Sequence, residues 1–371
     1  MSGMIKWPVL ALLLAMTGFG TSYAQGRASF DNSFWPLEDF LAEHPDEARK
    51  TREFVKLVNG PALQAPDDRA VSITVIYPGR QVSDYWRRSV TSMIRRLKEG
   101  NQPYRLRNRF TLPGVELHRQ AEFLIDAIDE NPDYLIFTLD VTEHMFFIEQ
   151  VLARGQSRLI LQNVTTPVRG WKSRQPFLYD GFDHAAGTRL LADYFLRRYA
   201  GTARYAILFG TDGYVSQARG ESFRNAMDQH PGMTLVDAYY TGFNRARSNE
   251  AATAILRDHP DIDFIYTVST DIAIGAIEAI RAQGRQGSVA VNGWGGGTHE
   301  LKVLASGELD VTVMQITDDN GVAMADAILL DRLGRTEEVP RVFSGAMELI
   351  DRDTPKERIE ELEKRAFRYS R

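Results

Sequence analysis

The chain has 371 residues, of which 43% are hydrophobic and 25% are charged. This length and apolar content can support two folded lobes with large cores, and they exclude a disordered or fibrous protein. The formal net charge is −5 and the 44 basic residues are spread along the chain, which argues against nucleic-acid binding.

The N-terminus has the features of a cleavable signal peptide. A short basic start precedes an apolar run over residues 7–16 that is too short to span a bilayer, and the small residues Ser22 and Ala24 suit a cleavage site. We therefore expect residues 1–24 to be removed on export and the mature chain to act in the periplasm. The alternative, a buried N-terminal helix, fits less well because residues 10–14 have no polar side.

Cysteine is absent from the chain. An exported protein of this length can be stable through burial alone, without disulfides, which suits the bacterial periplasm. The absence also excludes a thiol nucleophile and any cysteine-ligated metal.

Short apolar strands alternate with amphipathic helices along most of the chain. Residues 25–66 come first and predict one or two helices packed outside the first sheet. The predicted strands are 72–77, 134–139, 158–162, 204–209, 235–240, 263–267, 288–291 and 311–314. The predicted helices are 84–98, 116–129, 144–154, 184–199, 219–230, 248–258, 271–282 and 320–333. This alternation is typical of parallel α/β sheets.

The alternation falls into two blocks with no low-complexity linker between them. We therefore predict an α/β fold with two doubly wound parallel-sheet lobes joined by a hinge. Residues 351–371 form a charge-rich tail, in which the segment Thr-Pro-Lys-Glu from Thr354 predicts a helix that begins with a capping box. This tail is either a solvated surface helix or a contact for a partner.

Polar and aromatic side chains follow the predicted strands in both blocks. In open parallel sheets, ligands bind beyond the carboxyl ends of the strands, so these positions are candidates for a site. They are Gln81, Ser83, Trp86, Thr138, Asp140, Asn163, Arg219, Thr270 and Trp294. A polyhydroxylated small molecule requires such a mixture, because each buried hydroxyl left unpaired costs about 1–3 kcal/mol.

Each of these residues also has a purely structural explanation. Trp86 suits a helix core, and Asn163 and Thr270 suit the caps of helices or turns. Arg219 could form a surface ion pair with a neighbouring carboxylate such as Glu221. The set as a whole favours a binding cleft over these separate explanations.

Signals for catalysis are weak. The glycines around Trp294 lack the spacing of a dinucleotide fingerprint and the lysine of a P-loop. No second histidine follows His299 at the spacing of a zinc protease, and no Gly-x-Ser-x-Gly motif occurs. General acid–base catalysis by Asp140, beside Glu143 and His144, is an alternative that the sequence favours less than a binding site. We predict that the protein is not an enzyme and has no metal site.

Several longer segments resemble the LuxP-type autoinducer-2 receptors, a family within the type I periplasmic binding protein superfamily. The segments are VIYPGRQVSDYW, DYLIFTLD, LILQNVTTPVR, QPFLYDGFDHA, HPDIDFIY, VNGWGGGTHEL and KRAFRYS. The resemblance covers nearly the whole mature chain and implies two lobes that close over a furanosyl signal. By analogy it implies lobe 1 from 67–180 and about 296–316, lobe 2 from 181–295 and about 317–350, and crossings near Gly181, Trp294 and Ile316.

The resemblance also implies a set of ligand contacts. They are Gln81, Ser83, Trp86, Asn163, Arg219, Thr270 and Trp294, and all seven have the family's residue type. An eighth position departs from the pattern, because Gln315 stands where the receptor for the borate diester has an arginine. One arginine fewer weakens the preference for a charged ligand that contains boron, unless Arg80 supplies the second charge. Gln315 equally suits a neutral, boron-free furanose or a different sugar.

The resemblance implies a membrane-bound sensor histidine kinase as the partner, which reads lobe closure in quorum sensing. The alternative is a periplasmic sugar-binding protein that delivers ribose- or galactose-like solutes to a transporter. A secreted enzyme is the alternative from another class. No cofactor is expected beyond boron as a possible part of the ligand.

Overall fold

The computed structural model describes residues 33–371, so the expected signal peptide, residues 1–24, lies outside the described residues. The N-terminal segment contains helices α1 (Leu37–Glu43) and α2 (Pro45–Val58). Helix α2 buries Phe54 in the core of the first lobe. Within the part of the chain that is described, no helix is both long enough and apolar enough to cross a membrane.

The first lobe is built on a parallel sheet. Its strands are β1 (Val71–Tyr77), β2 (Tyr104–Phe110), β3 (Tyr134–Phe137), β4 (Arg158–Gln162), β5 (Leu178–Gly181) and β11 (Val342–Ser344), in the order β11-β5-β4-β3-β1-β2. The helices α3 (Tyr85–Glu99), α4 (Leu117–Glu130) and α5 (His144–Arg154) connect successive strands from β1 to β4. The central strands are apolar runs because helices cover both faces of the sheet.

The second lobe repeats this architecture. Its strands are β6 (Ala203–Phe209), β7 (Met233–Tyr240), β8 (Phe264–Thr267), β9 (Ala290–Gly295), β10 (Val311–Gln315) and β12 (Met347–Asp351), in the order β12-β10-β9-β8-β6-β7. All neighbours are parallel except β12, which is antiparallel to β10. The helices are α6 (His184–Arg198), α7 (Ser222–Met227), α8 (Arg245–Asp258), α9 (Thr270–Ala282) and α10 (Thr298–Ala305). The predicted α/β fold with two doubly wound lobes is confirmed.

Two of the expected lobe boundaries are wrong. Residues 296–316 belong to the second lobe, because β10 pairs with β9. Residues 317–350 belong mostly to the first lobe, because helix α11 (Asp318–Arg332) packs on α3 and β11 pairs with β5. Only β12 returns to the second sheet. The analogy misplaced these segments because short terminal strands do not reveal which of two similar sheets they join.

The described chain accordingly crosses between the sheets after β5, between β10 and α11, and between β11 and β12. The last two crossings lie side by side, since the amide of Ile316 donates to the carbonyl of Ala346 at 3.0 Å. The amide of Gly345 donates to the carbonyl of Gly181 at 2.8 Å, which brings the first crossing next to them. The expected crossing near Trp294 is wrong, because Trp294 lies within β9. The crossings form one compact hinge.

Helices α3 and α11 are joined by a buried ion pair. Arg96 and Asp326 are fully buried, and the guanidinium donates twice to the carboxylate, at 2.8 and 3.0 Å. Arg96 also donates to the carbonyls of Leu57 and Gly60 at 2.9 Å. Breaking such a buried pair on one side costs about 3–5 kcal/mol, so it anchors α11 in the first lobe.

The C-terminal tail begins on the second lobe. Helix α12 (Lys356–Ala366) follows β12, and Arg358 pairs with the carboxylate of Glu348 on that strand. The predicted capping box is wrong, because the Thr354 hydroxyl donates to the Asp351 carboxylate at 2.9 Å and no side chain caps the helix.

Beyond α12, the tail reaches the first lobe. The amides of Tyr369 and Ser370 donate to one carboxylate oxygen of Asp318, at the start of α11, at 2.5 and 2.8 Å. The Phe367 ring is buried, and the Arg88 guanidinium of α3 lies 3.7 Å from its centroid. The tail is therefore a strap across the hinge.

Candidate functional site

A cavity lies between the lobes at the carboxyl ends of both sheets. All eight predicted site residues line it, namely Gln81, Ser83, Trp86, Asn163, Arg219, Thr270, Trp294 and Gln315. The volume of the cavity is about 70 Å³. Since one ordered water needs about 10–15 Å³, the cavity has room for one small molecule.

The loop after β1 supplies three of these residues from the first lobe. The side-chain amide nitrogen of Gln81 donates to the carbonyl of Pro78 at 2.7 Å, which leaves the side-chain oxygen of Gln81 as an acceptor. The indole of Trp86 packs 4.5 Å from the Tyr77 ring and 4.8 Å from the Tyr85 ring, measured between centroids. Trp86 is thus both a core residue and a wall of the cavity, while Ser83 begins the turn that leads into α3.

Asn163 is held in an unusual backbone conformation at the end of β4. Its φ is 64°, in the left-handed region that asparagine tolerates better than most residues. The backbone amide of Asn163 donates to the carbonyl of Asp180 at 2.6 Å. Within residues 33–371 its side-chain amide makes no hydrogen bond, so both of its polar atoms are available to a ligand in the cavity.

Arg219 is a buried cation in the wall formed by the second lobe. It lies on a π-helical turn (Ser216–Glu221) that precedes α7, where the sequence predicts an ordinary helix start. The guanidinium donates to the carbonyl of Val268 at 2.9 Å and lies 4.3 Å from the centroid of Trp294. Burial lowers the pKa of Arg219 to about 10. Among the described residues no carboxylate pairs with it, so the predicted alternative of a surface ion pair is wrong.

His184 connects Arg219 to Asn163, and the sequence analysis missed it. Its Nε2 lies 3.2 Å from the Asn163 carbonyl, which can only accept, so Nε2 carries the proton. The Nε of Arg219 then donates to Nδ1 at 3.2 Å. Burial, together with the nearby guanidinium, holds the pKa of His184 well below its usual range. A neutral imidazole therefore orients the cation, and its place at the start of α6 was the available signal.

Thr270, Trp294 and Gln315 complete the second-lobe wall. The Thr270 hydroxyl donates to the Trp294 carbonyl at 3.0 Å, and the Trp294 indole N–H donates to the Tyr266 hydroxyl at 3.3 Å. Trp294 therefore offers a flat apolar face, with its polar atom satisfied inside the lobe. Gln315 ends β10, is 3% exposed, and its side-chain amide makes no hydrogen bond to another described residue.

Arg80 does not supply a second positive charge to the cavity. Its guanidinium pairs with Glu116 at 3.2 Å, is half exposed, and does not line the cavity. Instead the wall contains the carboxyl group of Asp140, which follows β3. Tyr85 and Phe243 also line the cavity and were not predicted, because their sequence context resembles that of ordinary core residues.

The lobes contact each other at the rim of the cavity. The amides of Val82 and Ser83 in the first lobe donate to the two carboxylate oxygens of Asp271 in the second, at 2.8 and 3.0 Å. The Thr298 hydroxyl of the second lobe donates to Asp84 at 2.9 Å. These bonds hold the lobes together over the cavity.

A third contact at the rim is a meeting of two glycines. Gly114 follows β2 and Gly242 follows β7, and both have positive φ angles, 64° and 66°. A Cβ atom at Gly114 would overlap the carbonyl of Gly242. The two loops can come this close because Gly114 has no side chain, whereas a Cβ atom at Gly242 would make only ordinary contacts.

The site has no sign of metal binding within residues 33–371, where no group of three or more histidine and carboxylate side chains could hold an ion. Its walls combine aromatic faces with hydrogen-bonding groups that have no partner. That arrangement suits reversible binding of a small polar molecule.

Two α/β lobes, a hinge of three adjacent chain crossings and a polar cavity between the lobes thus make up the described molecule. Residues 73–330 match the family described as "Periplasmic binding protein domain", and the chain belongs to that family. Its membership is consistent with the expected periplasmic location.

Two of the relatives found by comparison are named for the sugars that they bind. The chain is 29% identical over 164 residues to the "D-ribose/D-allose-binding protein" of Pseudomonas aeruginosa, covering 44% of this chain and 50% of the relative. It is 26% identical over 151 residues to the "Ribose import binding protein RbsB" of Salmonella typhimurium, covering 40% and 50%. The aligned part thus spans about half the length of these curated relatives.

A solved structure shows the same fold. GanP, a glucose-galactose binding protein from Geobacillus stearothermophilus, superimposes with a TM-score of 0.68 and 21% identity, over 78% of this chain and 100% of that chain.

The expectation of an autoinducer-2 receptor is wrong. The matched relatives are named for ribose, allose and ribose import, and these names fit the sugar-binding alternative. The cavity agrees with this correction, because a borate diester is an anion and the described lining has Arg219 as its one arginine, together with Asp140 and with Gln315 in place of a second arginine. The expected sensor histidine kinase was part of that signalling role, and the comparisons do not show such a partner.

Proposed function

We propose that this chain is a periplasmic sugar-binding protein, which closes its lobes over one neutral sugar of the ribose, allose or galactose type and delivers it to a membrane transporter. The observation that carries the proposal is the convergence of eight polar or aromatic side chains from both lobes on one small cavity. The names of the matched relatives support the choice of a sugar.

The hydrogen-bonding groups in the walls support a guest with several hydroxyls. In the first lobe, Asn163 offers an unpaired side-chain amide and Gln81 offers an oxygen. In the second lobe, Gln315 offers an unpaired side-chain amide and Arg219 is a donor. Hydroxyls both donate and accept, so a sugar can satisfy all of these groups. The indole faces of Trp86 and Trp294 suit the C–H faces of a sugar ring.

The charges in the walls support a neutral, boron-free guest. Arg219 brings one positive charge and Asp140 one carboxyl group, while Asp84 is already paired with Arg88 at 2.7 Å. An anionic guest would add an unbalanced negative charge to a buried cavity, which is costly. Binding needs no metal or cofactor, and the guest is released unchanged.

Closure follows from the division of the contacts between the lobes. A sugar that touches Asn163 and Arg219 makes both sets of contacts only when the lobes are closed, so it shifts the protein toward that state. The closed surface is then the form that a transporter recognises. The word "import" in the name of the Salmonella relative supports this role.

The test is calorimetric titration of the mature protein with D-ribose, D-allose and D-galactose in buffer free of borate and metals. We expect one sugar per chain for at least one of the three. Arg219→Met should weaken that binding about 10- to 150-fold, because a hydrogen bond from a charged donor is worth about 1.5–3 kcal/mol. Arg257→Met removes an exposed arginine and should bind like the wild type. Absence of binding for all three sugars, or equal losses in both variants, would contradict the proposal.

A further inference from the structure

The C-terminal tail is fixed to both lobes and has no slack between the two attachments. On the second lobe, Arg358 of α12 donates twice to the carboxylate of Glu348 on β12, at 2.9 and 2.5 Å. Helix α12 ends at Ala366, and Phe367 follows it directly, with its ring against the Arg88 guanidinium of the first lobe. A rigid helix therefore transmits the position of the second lobe to a residue that is seated on the first.

The end of the tail, residues 367–371, is held on the first lobe by polar contacts. One carboxylate oxygen of Asp318 accepts from the amides of Tyr369 and Ser370, at 2.5 and 2.8 Å. The Tyr369 hydroxyl donates to the carboxylate of Glu99 on α3 at 2.5 Å. Because hydrogen bonds to carboxylates are strong and directional, these contacts define one seated position for the end of the tail.

Arg88 links the seated tail to the rim of the cavity. Its guanidinium donates to the carbonyl and the hydroxyl of Ser370, at 2.9 and 2.8 Å. It also donates to the Asp84 carboxylate at 2.7 Å and to the Thr298 hydroxyl, in the second lobe, at 2.8 Å. One side chain of the first lobe therefore contacts the second lobe and the tail together, and it makes both contacts only while the lobes meet.

We infer that the end of the tail is a latch, which is seated on the first lobe while the lobes are closed and leaves it when they open. Opening moves Thr298 and α12 away with the second lobe, and a helix cannot lengthen to follow both attachments. The contact that breaks is the one at the chain terminus, because residues 367–371 can swing free whereas α12 is bonded to β12. The inference goes beyond the proposed function, since it concerns how the lobes are held and not what they bind.

The latch stabilises the closed state without touching the guest. Residues 367–371 do not line the cavity, and they lie outside residues 73–330, the segment that matches the family. Contacts that form only on closure raise the population of closed protein, and the apparent affinity for a guest rises with that population. Loss of the latch therefore weakens binding while every side chain of the cavity stays in place.

The first test follows amide hydrogen exchange in the full mature chain, with and without a saturating sugar. The sugar is the one of D-ribose, D-allose and D-galactose that binds most tightly. With sugar, the amides of Tyr369 and Ser370 should exchange about 10-fold more slowly, because their bonds to Asp318 form on closure. The amide of Leu362, within α12, stays with the second lobe and should exchange at the same rate in both samples. Tail amides that exchange equally with and without sugar would overturn the inference.

The second test removes the end of the latch. Deletion of residues 369–371 should lower the affinity for the sugar about 10-fold, which corresponds to one hydrogen bond to a charged group. It should also increase the radius of gyration of the sugar-free protein, measured by small-angle scattering. The matched control is Arg371→Ala, which changes an exposed residue at the same terminus and should alter neither quantity.

The outcomes separate the latch from the proposed function. If the wild type binds a sugar and the deletion variant matches it in affinity and in radius of gyration, the inference is overturned and the function stands. If none of the three sugars binds the wild type, the function is overturned, and scattering of the sugar-free proteins decides the inference: a larger radius for the deletion variant supports it, and an equal radius overturns it. If the deletion variant does not fold, hydrogen exchange in the wild type gives the answer.

Discussion

Two buried histidines are held neutral by their surroundings, and they serve different purposes. His184 uses both ring nitrogens, one toward the Asn163 carbonyl and one toward the Arg219 guanidinium. His144 is buried beside Phe137, and its Nδ1 has no partner in the described structure. The first histidine orients the binding site, whereas the second only fills the core of the first lobe.

His144 makes the stability of the protein sensitive to acid. Burial lowers the pKa of His144 to about 4, against an ordinary value of 6.5. Between these values the unfolded chain binds a proton that the folded protein does not, so the free energy of unfolding falls as the pH is lowered from 6.5 toward 4. The expected loss from this residue is about 2 kcal/mol at pH 5.

Urea unfolding at pH 7 and pH 5 measures this loss. His144→Leu removes the titrating group and should show a smaller difference between the two pH values. His118→Leu changes an exposed histidine and should retain the wild-type difference. The same pH dependence in wild type and His144→Leu would show that another group is responsible.

Single residues of the site were predictable where the chain leaves a strand. Asn163 and Trp294 could be placed at the cleft because the ends of parallel strands converge. The partners of these residues could not, since the pairing of His184 with Arg219 depends on how α6 packs against the π-helical turn. With Gln315 in place of an arginine, the sequence left open whether Arg80 supplies a second charge, and it did not reveal that Arg80 is engaged by Glu116.

Helices and strands could be predicted from the sequence when their hydrophobic pattern is clear. Strands at the edge of a sheet lack such a pattern and were missed. Strand β2 was missed because it is an edge strand whose sequence, YRLRNRF, alternates with arginines. Strands β11 and β12 were missed because each lies at the edge of its sheet, and the four-residue strand β5 was missed as well. These strands decide which lobe the last segments join, so the errors in the lobe boundaries come from the same cause.

The strap formed by the tail contributes to stability through Phe367. The ring is 1% exposed and packs under the Arg88 guanidinium, so truncation leaves a cavity where the two lobes meet. Phe367→Ala should lower the free energy of unfolding by about 3–5 kcal/mol. Phe146→Ala changes a ring that is 61% exposed and should have an effect within about 0.5 kcal/mol. Denaturant unfolding measures the free energy of unfolding of both variants. A loss for Phe367→Ala as small as that for Phe146→Ala would mean that the tail is only loosely attached.

For the molecule as a whole, the contacts at the rim decide how readily the lobes close. Asp271 accepts two backbone hydrogen bonds from the opposite lobe, yet it lies outside the sugar cavity. Its effect on affinity is therefore an effect on the open and closed populations and not on contacts with the guest.

Asp271→Asn tests this effect. The amide keeps one acceptor and loses the charge, so the affinity for the sugar should fall about 10-fold, the equivalent of one charge-assisted bond. Small-angle scattering of the sugar-free variant should give a larger radius of gyration than the wild type. Asp258→Asn, on the surface beside Arg257, should change neither quantity. A variant that binds weakly without opening would assign Asp271 a different role.

The close contact between Gly114 and Gly242 limits how near the two lobes can come to each other, and a side chain at position 114 would change that limit. A Gly114→Ala substitution would keep the two lobes slightly apart at the entrance of the cavity, because the added methyl group would overlap the Gly242 carbonyl. It would change no residue that lines the cavity. Side chains of increasing size at this position would lower the affinity in steps. The resulting variants would be sensors that respond to the same analyte over successive concentration ranges. The tuning would come from the frame of the molecule, while its chemical selectivity would stay as it is.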